Sequence, residues 1–144
     1  MSGRRVLVAS QRGCPEAALH HAAAFAGSDG EVVLASVVVI PLGQPLGASL
    51  GRAVDDACAA LDAGERAAAG ARSFDTRLVR GRSFAEAVLA LADEEDFDVI
   101  VLEDGPASPC NDERAQIEAV IERAPATVVL VRPAMSSRSP SMAR

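Results

Sequence analysis

Residues with chemical capacity are few in this chain and gather at two places. The first is Ser10-Gln11-Arg12-Gly13-Cys14, a hydroxyl, an amide, a cation and a thiol between an apolar stretch and Pro15. The second runs from Glu103 through Gly105 and Cys110 to Arg114 and also carries Asp104, Asp112 and Glu113. Cys14 and Cys110 each stand just before an expected helix N-terminus, where the dipole favours thiolate. One chemistry open to them is a reversible disulfide or redox-sensing pair. The other reading is two ordinary loop cysteines too far apart to meet.

Elsewhere the inventory thins. His20 and His21 are adjacent on an expected helix and project in different directions, so they cannot chelate one metal and read as surface or boundary residues. The three cysteines lack metal-ligand spacing, so no metal site is expected, and their odd number argues against an extracellular disulfide framework. Cys58 falls on the apolar side of an expected helix and reads as core. Glu94-Glu95-Asp96, at a helix end, reads as a solvated acidic face. No nucleophile, base and orienting acid share a motif, so no catalytic residue is assigned and the chain is not expected to be an enzyme. Every basic residue is Arg; the absence of Lys excludes Schiff-base chemistry and the P-loop lysine.

Composition sets the frame for these groups. A chain of 144 residues, 49% hydrophobic and 24% charged, suits one well-packed soluble domain. A net charge of −6, with no basic run longer than two residues, argues against nucleic-acid and anionic-membrane partners. Aromatic residues are only 3%, with no Trp or Tyr, so there is no stacking platform for bases. The longest apolar run is too short for a bilayer span. Val6 to Ala9, behind Arg4 and Arg5, is too short for a signal peptide, and a cytoplasmic location is the expectation.

The elements that must position the two clusters follow from pattern. Arg5 to Ser10 and Asp98 to Leu102 are unalternating apolar runs, as in strands buried on both faces, and Glu31 to Ile40 is the strongest such run. Pro15 and Glu16 open a helix that Gly27 can end. A longer helix is expected from about Ser49 to Ala69, with Gly51 and Gly64 weakening it. Ser73 to Arg80 alternates imperfectly and reads as a strand near a sheet edge. Ser83 and Glu86 form a capping box for a helix from Phe84 to Asp93. Asn111 or Asp112 can cap a helix reaching Ala124, and Ala126 to Arg132 closes the sheet. Residues 1–133 thus make one domain, with 134–144 a Ser-, Arg- and Pro-rich tail expected to be disordered. Strands alternating with helices imply a parallel, doubly wound α/β fold. In such sheets ligands bind where strand order reverses, beyond the carboxyl ends of the strands. The loop after the first strand, facing the loop after the fourth, is therefore the candidate site.

Three stretches resemble the universal stress protein family: RRVLVAS, EVVLASVVVIPLGQPL, and DVIVL with AVIERAPATVVLVRP. RLVRGRSFAEAVLALADEEDFDVIVL also fits. The resemblance spans roughly residues 4 to 133. It implies a three-layer, Rossmann-like fold with a five-stranded parallel sheet in the order 3-2-1-4-5. It also implies a homodimer in which the last strand, Val128, Val129, Leu130 and Val131, pairs across a two-fold axis. That strand would otherwise be an exposed apolar edge.

Many members of that family hold ATP through an acidic residue after the first strand and a glycine motif after the fourth. Glycines in such a motif let backbone amides approach phosphates. Here Gln11 takes the acidic position, Glu103 stands where the first glycine would be, Gly105 is the one glycine nearby, and Arg114 falls near the end of the motif. The acids around Glu103 oppose a triphosphate, although Arg12 and Arg114 suit phosphate. The resemblance with this broken loop implies a non-catalytic binding or regulatory dimer of the stress-response kind, without ATP or another cofactor and open to a protein partner. The alternative is a receptor for ATP or AMP with a remodelled phosphate loop, its pocket lined by Ser10, Gln11, Arg12, Val38, Glu103, Gly105 and Arg114.

Overall fold

The computed structural model describes residues 4–11, 13–27, 29–45, 51–67, 73–103 and 111–132. Its elements alternate: β1 (Arg5–Ser10), α1 (Glu16–Ala26), β2 (Glu31–Val39), α2 (Gly51–Ala67), β3 (Phe74–Gly81), α3 (Phe84–Glu94), β4 (Val99–Glu103), α4 (Asn111–Arg123) and β5 (Thr127–Val131). All pairings are parallel, and the five strands lie in the order β3-β2-β1-β4-β5. The doubly wound sheet and its strand order stand as expected. The tail from residue 134 lies outside the described residues.

The unalternating apolar runs are explained by two cores, one on each face of the sheet. Leu7, Ala9, Val33, Ala35, Ile100 and Leu102 pack with α3 and Val120 of α4. Val6, Val8, Val32, Leu34, Val99 and Val101 pack with Ala18, Leu19, Ala22 and Ala26 of α1. Successive strand residues point to opposite faces, so a strand covered on both must be apolar throughout. The edge strand β3 escapes this demand; Asp75 and Arg80 are exposed there, and Leu78 is 40% exposed.

Helix ends follow local chemistry. The Ser83 hydroxyl accepts from the Glu86 N–H at 3.1 Å, as the capping box requires. The Glu86 carboxylate accepts from the Arg82 N–H at 2.9 Å, one residue earlier than the reciprocal bond would be. Gly27 ends α1 at a φ of 75°, a left-handed value that glycine adopts freely. Asn111 is the first residue of α4.

Two expectations about α2 and α3 need correction. Cys58 is exposed rather than core, because α2 packs through its small residues Ala57, Ala60 and Gly64. A side chain at position 64 would run into Leu34, so this glycine lets α2 lie close on β2. The acidic run at the end of α3 is not uniformly solvated either. Glu95 accepts from Arg5 Nη2 and Arg77 Nη2, each at 3.0 Å, and from Arg77 Nε at 3.0 Å. Arg5 also donates to Glu31 at 2.8 Å and lies 4.7 Å above the Phe97 ring; Arg77 reaches Asp75 at 2.7 Å.

This network ties together the N-terminal ends of β1, β2 and β3. Its groups are partly solvated, so its net worth is on the order of 1 kcal/mol. A single buried Val or Leu contributes roughly 1.5–3 kcal/mol, so the two cores dominate stability. Bonds from Arg77, then Arg5, hold the Glu95 carboxyl below the ordinary carboxylate range. A depressed carboxyl lends stability that is present above its unfolded-state value and lost as pH falls through its folded-state value. Urea denaturation from neutral pH to about pH 3 should therefore show a flatter acid limb for Glu95→Gln than for the wild type. Parallel curves would remove the network from the account.

Candidate functional site

The winding direction reverses between β1 and β4, and there the chain leaves the sheet with its chemically capable residues. Ser10 ends β1, 9% exposed, and its hydroxyl donates to the Gly13 carbonyl at 3.0 Å. Gly13 takes a φ of 63°, which turns the chain back toward α1. Pro15 follows as the residue before the helix, outside it rather than at its first position.

Beside this loop lies a cleft of about 590 Å³. Gln11, Gly13 and Cys14 form one wall, Ser36 to Val39 of β2 the floor, and Ala53, Asp56 and Ala60 of α2 part of the opposite wall. The floor is held from beyond β2, where Arg82 Nη1 donates to the carbonyls of Pro41 at 2.7 Å and Gln44 at 2.6 Å. The cleft is apolar at its base and polar at its rim, with an amide at Gln11 and a carboxylate at Asp56. Among the described residues no arginine lines it.

Glu103, at the end of β4, does not line this cleft. Its carboxylate turns to the first turn of α1, where Oε2 accepts from the Ala18 N–H at 3.1 Å. A carboxylate at the positive end of a helix is a favourable placement. One consequence falls on Cys14. Burial pushes its thiol up, and the charges of Glu16 and Glu103 push the same way. The dipole that was expected to favour thiolate at Cys14 is thus faced by two carboxylates.

The sequence-derived candidates divide accordingly. Gln11 and Val38 line the cleft; Ser10 supports it from beneath. Glu103 reaches the same loop from β4 but bonds to α1. Arg114, exposed on α4, is not among the described lining residues. Arg12, Gly105 and Cys110 lie outside the described residues. His20 and His21 are exposed on α1, their rings edge to face with centroids 5.9 Å apart. Sequence reasoning missed Ser36, Asp56 and the α2 wall. A signal was available in Ala53, Ala57, Ala60 and Gly64, small residues at helical spacing that admit close approach to a sheet.

Comparison with solved structures gives the architecture its relatives. A universal stress protein from Archaeoglobus fulgidus matches with a TM-score of 0.67 at 18% identity, over 90% of this chain and 94% of that one. The universal stress protein UspA from Lactobacillus plantarum matches with a TM-score of 0.67 at 20% identity, over 92% and 99%. The fold is that of the universal stress proteins. A further universal stress protein, in complex with cAMP, matches with a TM-score of 0.58 at 23% identity, over 93% of this chain and all of that one. No protein-family model and no curated protein matches the sequence. Within this fold the cleft lies on the β1–β2 side of the strand reversal, while Glu103 at the end of β4 is bonded to α1.

The Cys14 environment can be measured directly. With Cys58→Ser and Cys110→Ser leaving one thiol, the iodoacetamide rate at Cys14 should rise with a midpoint above that of a free cysteine peptide. A midpoint at or below the peptide's would mean that the helix dipole outweighs burial and the two carboxylates.

Proposed function

We propose that this chain is a non-catalytic, ligand-binding regulatory protein of the universal stress protein kind. Its cleft takes a small, largely uncharged ligand rather than ATP held by its triphosphate. The observation that carries this reading is the composition of the cleft wall. Gln11 and Asp56 stand with Ser36 and Val38 of β2 and the alanines of α2, with no cation lining the cleft among the described residues. A triphosphate needs backbone amides and cations, and the described part of this wall supplies no cation. An apolar slot with a few polar groups at its rim suits a neutral ring compound.

A second reading, a nucleotide site with a rebuilt phosphate loop, is favoured by one finding. A similar universal stress protein is in complex with cAMP, a nucleotide with a single phosphate. Thermal denaturation with adenosine, cAMP and ATP with magnesium, each at millimolar concentration, separates the two. A ligand that binds only the folded state raises the melting temperature in proportion to the logarithm of its concentration over Kd. Adenosine is expected to raise it and ATP to leave it unchanged. A rise of several degrees with ATP would establish the second reading instead.

The working form on this proposal is a cytoplasmic homodimer through β5. Support comes from the edge itself: Leu130 is 42% exposed there, and Ile121 of α4 is 47% exposed. An uncovered apolar edge strand invites pairing with another. Sedimentation should show a dimer for the wild type and a monomer for Leu130→Asp; a wild-type monomer would exclude this interface.

A further inference from the structure

We propose that Ser36 is the polar anchor of the cleft, its hydroxyl receiving the hydrogen-bonding edge of a small, flat, uncharged ligand whose body is otherwise apolar. The inference rests on reading the cleft as the ligand site. It adds the residue that discriminates and the class of ligand admitted, a neutral ring compound bearing an N–H or O–H in preference to the hydrocarbon of the same shape.

Ser36 stands apart from the rest of its strand. Between Val32 and Ile40 it alone carries a polar side chain, in a run of valine, leucine and alanine, and it is 3% exposed. A buried hydroxyl is normally bonded, because one without a partner loses its hydration and gains nothing in return. Ser10 obeys that rule. It lies beside Ser36 in the β1–β2 register, and its hydroxyl donates to the Gly13 carbonyl at 3.0 Å. The Ser36 hydroxyl makes no hydrogen bond to a described residue. Yet no fully enclosed side-chain polar atom among the described residues lacks a partner. Both statements hold only if the Ser36 oxygen opens into the cleft whose floor it forms.

The surroundings of that oxygen define what it can hold. Val38, two residues on, shares its face of β2 and packs with Ala57 of α2. Ala57 and Ala60 present only methyl groups, so the space between α2 and β2 is lined by carbon. Its volume, about 590 Å³, lies within the roughly 300–1,000 Å³ of small-molecule pockets. Cys14, in the wall, is kept a neutral thiol by burial and by the charges of Glu16 and Glu103. An ion lodged at this depth would exchange its water for one hydroxyl and meet no opposite charge among the described lining residues. Gln11 and Asp56 are exposed, so they meet the outer part of a ligand, beside solvent. A compound that lacks a polar edge leaves the Ser36 hydroxyl unpaired, and sites of that kind discriminate strongly. Ser36 is thus a specificity-determining residue.

The test has two arms, both on the full chain. Urea denaturation without ligand compares Ser36→Ala with Ser10→Ala. Removing a bonded hydroxyl lowers the midpoint, whereas removing an unbonded one leaves it level or raises it. Ser10→Ala should therefore fall and Ser36→Ala should not. The second arm titrates indole, and separately indene, its isostere without the N–H, and follows the backbone amide resonances of Val38, Ala57 and Ala60. The wild type should prefer indole by about tenfold, and Ser36→Ala should bind the two alike. A Ser36→Ala midpoint lowered as far as that of Ser10→Ala would overturn the assignment, since the hydroxyl would then have a partner within the protein. So would an indole preference that survives in Ser36→Ala. Indole and indene bound alike by the wild type, as when the hydroxyl keeps a water throughout, would remove Ser36 while leaving the cleft a ligand site. Binding of neither compound would remove the ligand-site reading together with the anchor.

Discussion

The structure depends on the burial of β1. Val6 to Ala9 are at most 3% exposed, hydrogen-bonded to β2 on one side and β4 on the other and covered by helices on both faces. A strand enclosed in this way must lie at the centre of the sheet. Its neighbours are then reached by winding first one way and then the other. That reversal sends the chain away in opposite directions after β1 and β4, and the space between the departing segments is the one place where a parallel sheet leaves its strand ends uncovered. Gln11 and Cys14 leave the sheet there after β1 and Glu103 approaches from β4, while the described cleft opens on the β1–β2 side.

The two ends of the sheet have been given different work by the same physics. At the N-terminal ends, Arg5, Glu31, Glu95, Arg77 and Asp75 form a charged seam that is satisfied within itself. Charges paired so completely have little capacity left for a ligand. At the C-terminal ends, the polar groups are spaced around a cleft instead. Ser10 steadies its loop and Glu103 neutralises a helix, while Gln11 and Asp56 remain at the rim. Among the described residues, charge is thus paired off at one end of the sheet and set around a cleft at the other.

Much of the candidate site was legible before folding, because α/β topology alone places ligand loops at strand ends. Gln11, Val38 and the general position of Glu103 follow from that rule. The partners of Glu103 do not. A carboxylate in an acidic, glycine-poor stretch reads as repulsion toward phosphate; in the structure it is the acceptor for an amide 85 residues away. The contribution of α2 was obscured for a related reason. A hydrophobicity pattern highlights Val54, Cys58 and Leu61, but a helix that must lie close on a sheet packs through alanine and glycine. Cys58 consequently faces outward.

Sequence by itself determined the element types, the parallel sheet and the exclusion of lysine chemistry. These depend on local pattern and composition, which a linear chain displays in full. Only the tertiary structure decided which polar residues meet. Glu95 became a bridge between two arginines rather than a solvated acid, and Asp56 joined the wall across from Gln11. Contacts of this kind are set by how closely and at what angle the helices lie on the sheet. That geometry is fixed by packing at positions such as Gly64 and Leu34, where atoms distant in sequence must share one volume.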